Sequence, residues 1–511
     1  MIGSLALVLL GAAAAATPCE NLTGLTLDQA TITSAEMVPE GPAPARGGGR
    51  GRGAAAAGQG RGAGGAQGRG RGAAPTLIPA HCRVQIVLTP SPDSLINMEL
   101  WLPPAGEWNG KFMGVGNGGF AGSIQGLARD MPEALRRGYA TAGTDTGHQD
   151  PGGEWAIGHP EKMIDFGYRS THEMTLKSKQ LVSSFYDRAP SYSYFKGCST
   201  GGRMALMEAQ RYPDDYDGII AGSLANRHIH MWTAGIARNV DLWRHPEGAI
   251  TEEQADLVNN LVMGTCDTLK EGFLNNPKAC SVDFSQLACR AGQTGNACLA
   301  PAQMKTVETF YGGVKNSRGE LIFSGQALGN PIGAQQPSDQ GPRGLFDLVR
   351  IAYNNPDVDW REFDLDNDMQ VLDERIGYVD AVDPDLGPFK ASGGKLLMSH
   401  GWSDTGITPE TTVWYYDSVL ETMGSDQDDW MRLFMAPGMG HCGGGPGVNG
   451  FDSIGALEQW VEQGEAPDTI MGTGAEGLTR PLCPYPQFAE YDGTGDLKDA
   501  SNWACRAPAS R

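Results

Sequence analysis

Gly197-Cys198-Ser199-Thr200-Gly201-Gly202 and Gly440-His441-Cys442-Gly443 each set a residue capable of acyl-transfer chemistry beside a cysteine. Ser199 stands in a G-x-S-x-G pattern between a strand-like run and a helix-like one, the context of a nucleophile elbow. Such a turn strains the serine backbone, and glycine neighbours let strand and helix approach closely. The following helix N-terminus favours developing negative charge. A serine hydroxyl also needs a base, because almost none of it is alkoxide at neutral pH. Of nine histidines, His441 follows a strand-like run and comes after the serine, as the order Ser–acid–His requires. A bond between Cys198 and Cys442 would bring Ser199 and His441 together across more than 200 residues.

The acid of such a site orients the imidazole and stabilises its charged form. Asp404, in Ser399-His400-Gly401-Trp402-Ser403-Asp404, follows a strand-like run and lies between Ser199 and His441. Asp145 also ends a strand-like run but precedes the serine, which breaks the order. The tetrahedral oxyanion needs donors. The N–H of Thr200 is one, and Gly116-Asn117-Gly118-Gly119 is placed to supply the other. The stretch Gly114 to Gly119 also matches the G-x-G-x-x-G dinucleotide fingerprint, so a nucleotide cofactor is a competing reading. His228-x-His230 has no acidic or cysteine partner nearby and reads as structural.

The elements that would position these residues are those of an α/β protein. Strand-like runs fall at Val84–Leu88, Ile96–Leu102, Lys111–Val115, Tyr139–Ala142, Tyr192–Lys196, Gly218–Ala221, Lys395–Ser399 and Met431–Ala436. Helix-like stretches lie at Met131–Arg137, Thr171–Arg188, Gly202–Tyr212 and Ser453–Gln463. The economical arrangement is a parallel sheet covered by helices. Residues 226–392 differ, with four cysteines, abundant Asn, Gly and Pro, and few strand-like runs. They read as an insertion between strands, as hydrolase lids often are.

Composition narrows the functional classes. The 511 residues are 40% hydrophobic and 19% charged, enough for a large core and an inserted domain. A net charge of −21 argues against general binding to nucleic acid or anionic membranes. Residues 1–16 read as a secretory signal without the usual basic start, and no later segment is apolar enough to cross a membrane. Ten cysteines behind such a leader favour disulfides in a secreted or periplasmic protein, and no close C-x-x-C pair suggests zinc. Spacing makes Cys266–Cys280, Cys289–Cys298 and Cys483–Cys505 plausible local loops. Residues 17–41 form an N-terminal segment. Residues 42–76, with six arginines and no acid, read as a disordered Gly/Arg-rich insertion.

Taken together, these residues resemble the tannase and feruloyl esterase family, which includes the mono(2-hydroxyethyl) terephthalate hydrolase. The resemblance runs from Cys82 onward. It is carried by Gly197-Cys198-Ser199-x-Gly201-Gly202-Arg203, Tyr216-Asp217-Gly218-Ile219, His400-Gly401-x-Ser403-Asp404, Pro437-Gly438-Met439-x-His441-Cys442, and Arg480-Pro481-Leu482-Cys483-Pro484-Tyr485-Pro486. It implies an α/β-hydrolase core at 77–225 and 393–511, a lid at 226–392, and a triad of Ser199, Asp404 and His441. It further implies oxyanion donors at Gly119 and Thr200 and the pairings Cys198–Cys442, Cys19–Cys82, Cys266–Cys280, Cys289–Cys298 and Cys483–Cys505.

One stretch departs from the family. Its lids usually carry a calcium loop, C-D-x-x-D-G-x-x-D-G, after the first lid cysteine. Here the segment is Cys266-Asp267-Thr268-Leu269-Lys270-Glu271-Gly272, which offers Asp267 and Glu271 as ligands and sets Lys270 among them. Calcium takes six to eight oxygens, so this loop is poorly suited to it. No cofactor is needed for the chemistry itself. The expected activity is hydrolysis of esters of small aromatic acids, feruloyl esters first, gallate esters second and terephthalate monoesters third. The substrate would derive from plant cell wall or polyphenol. A secreted binding protein on an inactive hydrolase scaffold is the reading from a different class.

Overall fold

The computed structural model describes residues 17–42, 77–124, 130–150 and 152–508. The expected leader at 1–16 lies outside these residues, as does the Gly/Arg-rich insertion apart from Pro42. Pro42 pairs with Leu77, and Gly41 with Ile78, in a short antiparallel ladder, so the insertion proper begins at 43.

Nine strands build the central sheet: β1 (Ala30–Val38), β2 (His81–Leu88), β3 (Ile96–Leu102), β4 (Lys111–Val115), β5 (Ala140–Thr144), β6 (Tyr192–Cys198), β7 (Gly218–Gly222), β8 (Lys395–Gly401) and β9 (Met431–Ala436). Their spatial order is β1-β2-β3-β5-β4-β6-β7-β8-β9. The sequence reading of an all-parallel sheet is corrected here. β5, β4, β6, β7, β8 and β9 are parallel to their neighbours, whereas β1, β2 and β3 run antiparallel and β3 is antiparallel to β5. The link between β2 and β3 is only residues 89–95, too short for the crossover that parallel pairing needs. β1 was absent from the sequence reading. Its alternation is weak, and Ala35 alone among its residues is buried, as suits an edge strand.

Successive residues of a strand face opposite sides of the sheet. Phe112, Phe195, Ile219, Leu396 and Met398 face the layer of α1 (Ser170–Tyr186), α2 (Thr200–Arg211) and, after β8, the helix at Glu410–Met423. Met113, Tyr194, Ile220, Leu397 and Phe434 face the helix at Ser453–Gln463. α2 ends at Arg211 because Pro213 disfavours helical backbone at Tyr212.

Residues 226–392 connect two adjacent parallel strands, β7 and β8. They are mainly helical, including His228–Arg244, Glu252–Cys266, Pro301–Gly312 and Leu365–Ile376, with a two-stranded ladder at 314–323. One of their apolar clusters, around Ile229, Ile236, Leu348 and Leu372, also takes in Phe120 and Phe166 of the core. The insert therefore shares its packing with the loop that follows β4. Five disulfides join Cys19–Cys82, Cys198–Cys442, Cys266–Cys280, Cys289–Cys298 and Cys483–Cys505, leaving no free cysteine.

Candidate active site

Ser199 occupies the sharp turn between β6 and α2, with φ 65° and ψ −125°. A non-glycine residue at positive φ costs roughly 1–2 kcal/mol, so the surroundings must hold it there. They do so through the backbone. The Ser199 N–H donates to Gly222 O at 3.0 Å, and the Ser199 carbonyl accepts from Arg203 N–H and Ala225 N–H, each at 3.2 Å. Gly197 and Gly201 are in close approach, and a Cβ on Gly197 would overlap the Gly201 carbonyl. Arg203, one turn into α2, is fully buried without a carboxylate partner. It donates to the carbonyls of Phe166, Gly167 and Val379, tying the elbow helix to the insert. Desolvation pushes its pKa down to about 10.

Thr200 begins α2, and the first N–H groups of a helix have no partner within it. Its hydroxyl donates to the Gly119 carbonyl at 2.6 Å, so the two residues expected to donate to an oxyanion lie on touching segments. Gly119 has φ +61°, with open space where a Cβ would be. Within Gly114 to Gly119, a Cβ on Gly114 would strike the Tyr216 hydroxyl and one on Gly116 the Gly201 backbone, so these two glycines admit close approach of protein.

His441 lies in the glycine-rich loop after β9, and its neighbour Cys442 also has positive φ, 59°. The Cys198–Cys442 disulfide, with Cα atoms 6.0 Å apart, joins the residues next to Ser199 and His441. His441 Nδ1 is 2.8 Å from Asp404 Oδ2, and its side chain is 38% exposed. Asp404, just past β8, has no exposure at all. Its Oδ1 accepts from Gly406 N–H at 2.8 Å and Ile407 N–H at 2.9 Å. Its Oδ2 is also 3.0 Å from His400 Nε2. Burial opposes ionisation of this carboxyl, yet the bonds and charges of His400 and His441 hold its pKa well below the usual carboxylate range. From the insert, buried Asn330 donates its side-chain amide to the Asp404 carbonyl at 2.9 Å, and the Thr408 hydroxyl donates to Gly325 O at 2.6 Å.

Asp145 is spoken for elsewhere. Its carboxylate accepts from Asn97 N–H at 3.0 Å, the Asn97 side-chain amide at 2.6 Å and Gly147 N–H at 2.9 Å. His230 pairs with Asp380 at 2.8 Å, and His228 is buried among aromatic rings. The sequence reading assigned no part to His400, Thr412 or Asn330. For His400 the signal was its position four residues before Asp404; Thr412, 12 residues after His400, and Asn330, 74 residues before Asp404, gave none.

Asp267 and Glu271, the two ligands this loop offers toward calcium, are both taken up by protein partners. Asp267 accepts Glu271 N–H at 3.1 Å through one oxygen and Gly272 N–H at 2.8 Å through the other. Glu271 forms an ion pair with the guanidinium of fully buried Arg480 at 2.8 Å and accepts from the Asn275 amide at 2.8 Å. Arg480 also lies over the Trp503 ring. A protein cation already neutralises Glu271, so the donor set fits arginine rather than calcium. Among the described residues, three ligand-type side chains close enough to share an ion occur at His172, Glu208 and Asp215, away from this loop.

The family model of tannase and feruloyl esterase matches residues 82–343 and 345–506. An uncharacterized esterase of Xanthomonas campestris is 33% identical over 567 residues, spanning 97% of this chain and 92% of its own. A probable feruloyl esterase B-2 of Aspergillus terreus is 32% identical over 459 residues, spanning 83% and 86% respectively. Among solved structures, feruloyl esterase B from Aspergillus oryzae has a TM-score of 0.82 at 29% identity, covering 96% of this chain and 99% of that one. Tannin acyl hydrolase from Aspergillus niger shares the fold, with a TM-score of 0.75 at 21% identity over 97% and 94% of the two chains. With the family match spanning most of its length and an α/β-hydrolase sheet beneath the site, the chain belongs to the tannase and feruloyl esterase family of carboxylic ester hydrolases.

Proposed function

We propose that this chain is a secreted serine esterase that cleaves feruloyl-type esters of small aromatic acids, of plant cell-wall or polyphenol origin, through an acyl-enzyme. Ser199 Oγ attacks the ester carbonyl as His441 Nε2 takes its proton. Asp404 accepts the Nδ1–H and stabilises the imidazolium. The N–H groups of Gly119 and Thr200 receive the oxyanion. His441 then protonates the departing alkoxide. Water enters, gives its proton to His441, and attacks the acyl carbonyl; collapse releases the acid and returns the proton to Ser199. The insert at 226–392 supplies the aromatic-ring pocket.

The observation that carries this reading is the disulfide between Cys198 and Cys442, which fastens the Ser199 turn to a histidine already paired with a buried aspartate. The preference for feruloyl over gallate esters follows the Aspergillus relatives at 32% identity, which bear probable feruloyl esterase names. Five disulfides suit an oxidising compartment, which supports export. A kinetic panel of methyl ferulate, methyl gallate and mono(2-hydroxyethyl) terephthalate tests the substrate, with Ser199→Ala as control. Methyl ferulate should give the highest kcat/KM, and preference for either other ester would replace that choice. A wild-type protein that folds but forms no Ser199 adduct with an organophosphonate probe would overturn the enzyme reading in favour of an inactive binding scaffold.

A further inference from the structure

The Asp404 carboxylate is bonded to two histidines, and the triad gives a role to only one. His400 ends a core strand and, like Asp404, is fully buried. Its Nε2 lies 3.0 Å from Asp404 Oδ2 and 3.2 Å from the Ile407 carbonyl. Both partners are acceptors, so Nε2 carries the ring proton. Its Nδ1 lies 2.6 Å from the Thr412 hydroxyl, within hydrogen-bond distance.

We propose that His400 is a positioning residue for the esterase reaction: a buried imidazole that fixes Asp404 Oδ2 and draws charge away from it. The proposal rests on the Ser199–Asp404–His441 assignment. Oδ1 is already anchored by two backbone N–H groups, so His400 completes the restraint and removes carboxylate rotation as a freedom. His441 Nδ1–H then has one fixed acceptor, and its Nε2 is held for the serine. Sharing Oδ2 with a second donor also weakens its pull on the His441 proton. Strand β8, the loop after it and the helix at Glu410–Met423 surround His400. Among the described residues Asp404 and His441 are the titratable side chains in this hydrogen-bonded chain.

The test compares His400→Leu, which removes the donor, with His400→Gln, whose amide N–H can replace it. His400→Leu should lower kcat on methyl ferulate about 10- to 100-fold with KM changed less than about threefold, as expected for misplacement of a reacting group. The acid limb of its kcat/KM profile should move up by about half a pH unit to one unit, matching the loss of one hydrogen bond. His400→Gln should recover most of kcat and return the acid limb. A folded His400→Leu with wild-type kcat and an unmoved acid limb overturns the proposal, as does a His400→Gln no better than His400→Leu. Should His400→Leu fail to fold, Thr412→Val decides, since it frees the ring while keeping shape. A small fall in kcat with an upward limb shift supports the proposal, and no change in either sinks it. Organophosphonate labelling of wild-type Ser199 separates these outcomes from failure of the underlying assignment, which would show as no labelling at all.

Discussion

Asp404 and Glu208 are both carboxylates without solvent exposure, yet their environments are opposite. Asp404 takes hydrogen bonds at both oxygens, from two backbone N–H groups and two imidazoles. Among the described residues Glu208 has no N–H or hydroxyl donor, and it faces a second carboxyl, Asp215. Burial and the neighbouring Asp215 push the Glu208 pKa well above the ordinary range, with Lys179 opposing. Asp404 is held down instead. Equal burial therefore shifts the two carboxyls in opposite directions. The donors around each decide it, not depth. Glu271 is the intermediate case, a carboxylate whose charge is answered by buried Arg480.

The comparison is broken most severely by Asp404→Asn. The amide cannot accept from both imidazoles, so His441 loses the tautomer it needs, and kcat on methyl ferulate should fall by about 10⁴-fold. A loss below tenfold would remove Asp404 from the mechanism. Arg480→Met should follow in size. Leaving Glu271 without its partner should destabilise the fold by about 3–5 kcal/mol, read as a lower midpoint in urea, with kcat of the folded fraction little changed. Added calcium should not restore it; restoration would revive the metal loop.

A Cys198→Ala, Cys442→Ala double variant asks whether the Asp404 environment suffices once the staple is gone. We expect kcat to drop about 10- to 100-fold as the serine and histidine lose registration, with a smaller effect on the thermal midpoint. Unchanged kcat would show that loop packing alone sets the geometry.

Glu208→Gln should have the smallest effect and the most informative pH dependence. As pH rises past about 4.3, the unfolded chain ionises this glutamate while the native state keeps it protonated. The native state therefore loses relative stability as pH rises, until it reaches the raised folded pKa. Glutamine removes that loss, so the variant should match wild type near pH 4 and exceed it in thermal midpoint by a few degrees at pH 8. Asp404 behaves in the opposite sense. Its contribution is present above the unfolded carboxylate pKa and is lost as pH falls toward its depressed folded value.

Much of the frame was legible locally. Ile96–Leu102, Lys111–Val115, Met431–Ala436 and Ser453–Gln463 fold within the bounds their hydrophobic patterns indicate. β1 was not legible, because an edge strand buries little and its sequence, ATITSAEMV, shows little of the buried alternation that marks a strand. The antiparallel half of the sheet was misread although the short link at 89–95 already argued for it. At the site, Ser199, Asp404 and His441 were readable from strand ends and chain order. Arg480 was not, since it meets Glu271 across 209 residues.

By itself the sequence determined the elements, the strained Ser199 turn between strand and helix, and the order of serine, acid and histidine, because each depends on neighbours a few residues away. Tertiary structure alone decided which way the buried carboxyls of Asp404 and Glu208 shift, that His400 shares Asp404 with His441, and that arginine stands against Glu271. Charge state and orientation depend on desolvation and hydrogen-bond partners, and folding draws both from residues far apart in the chain.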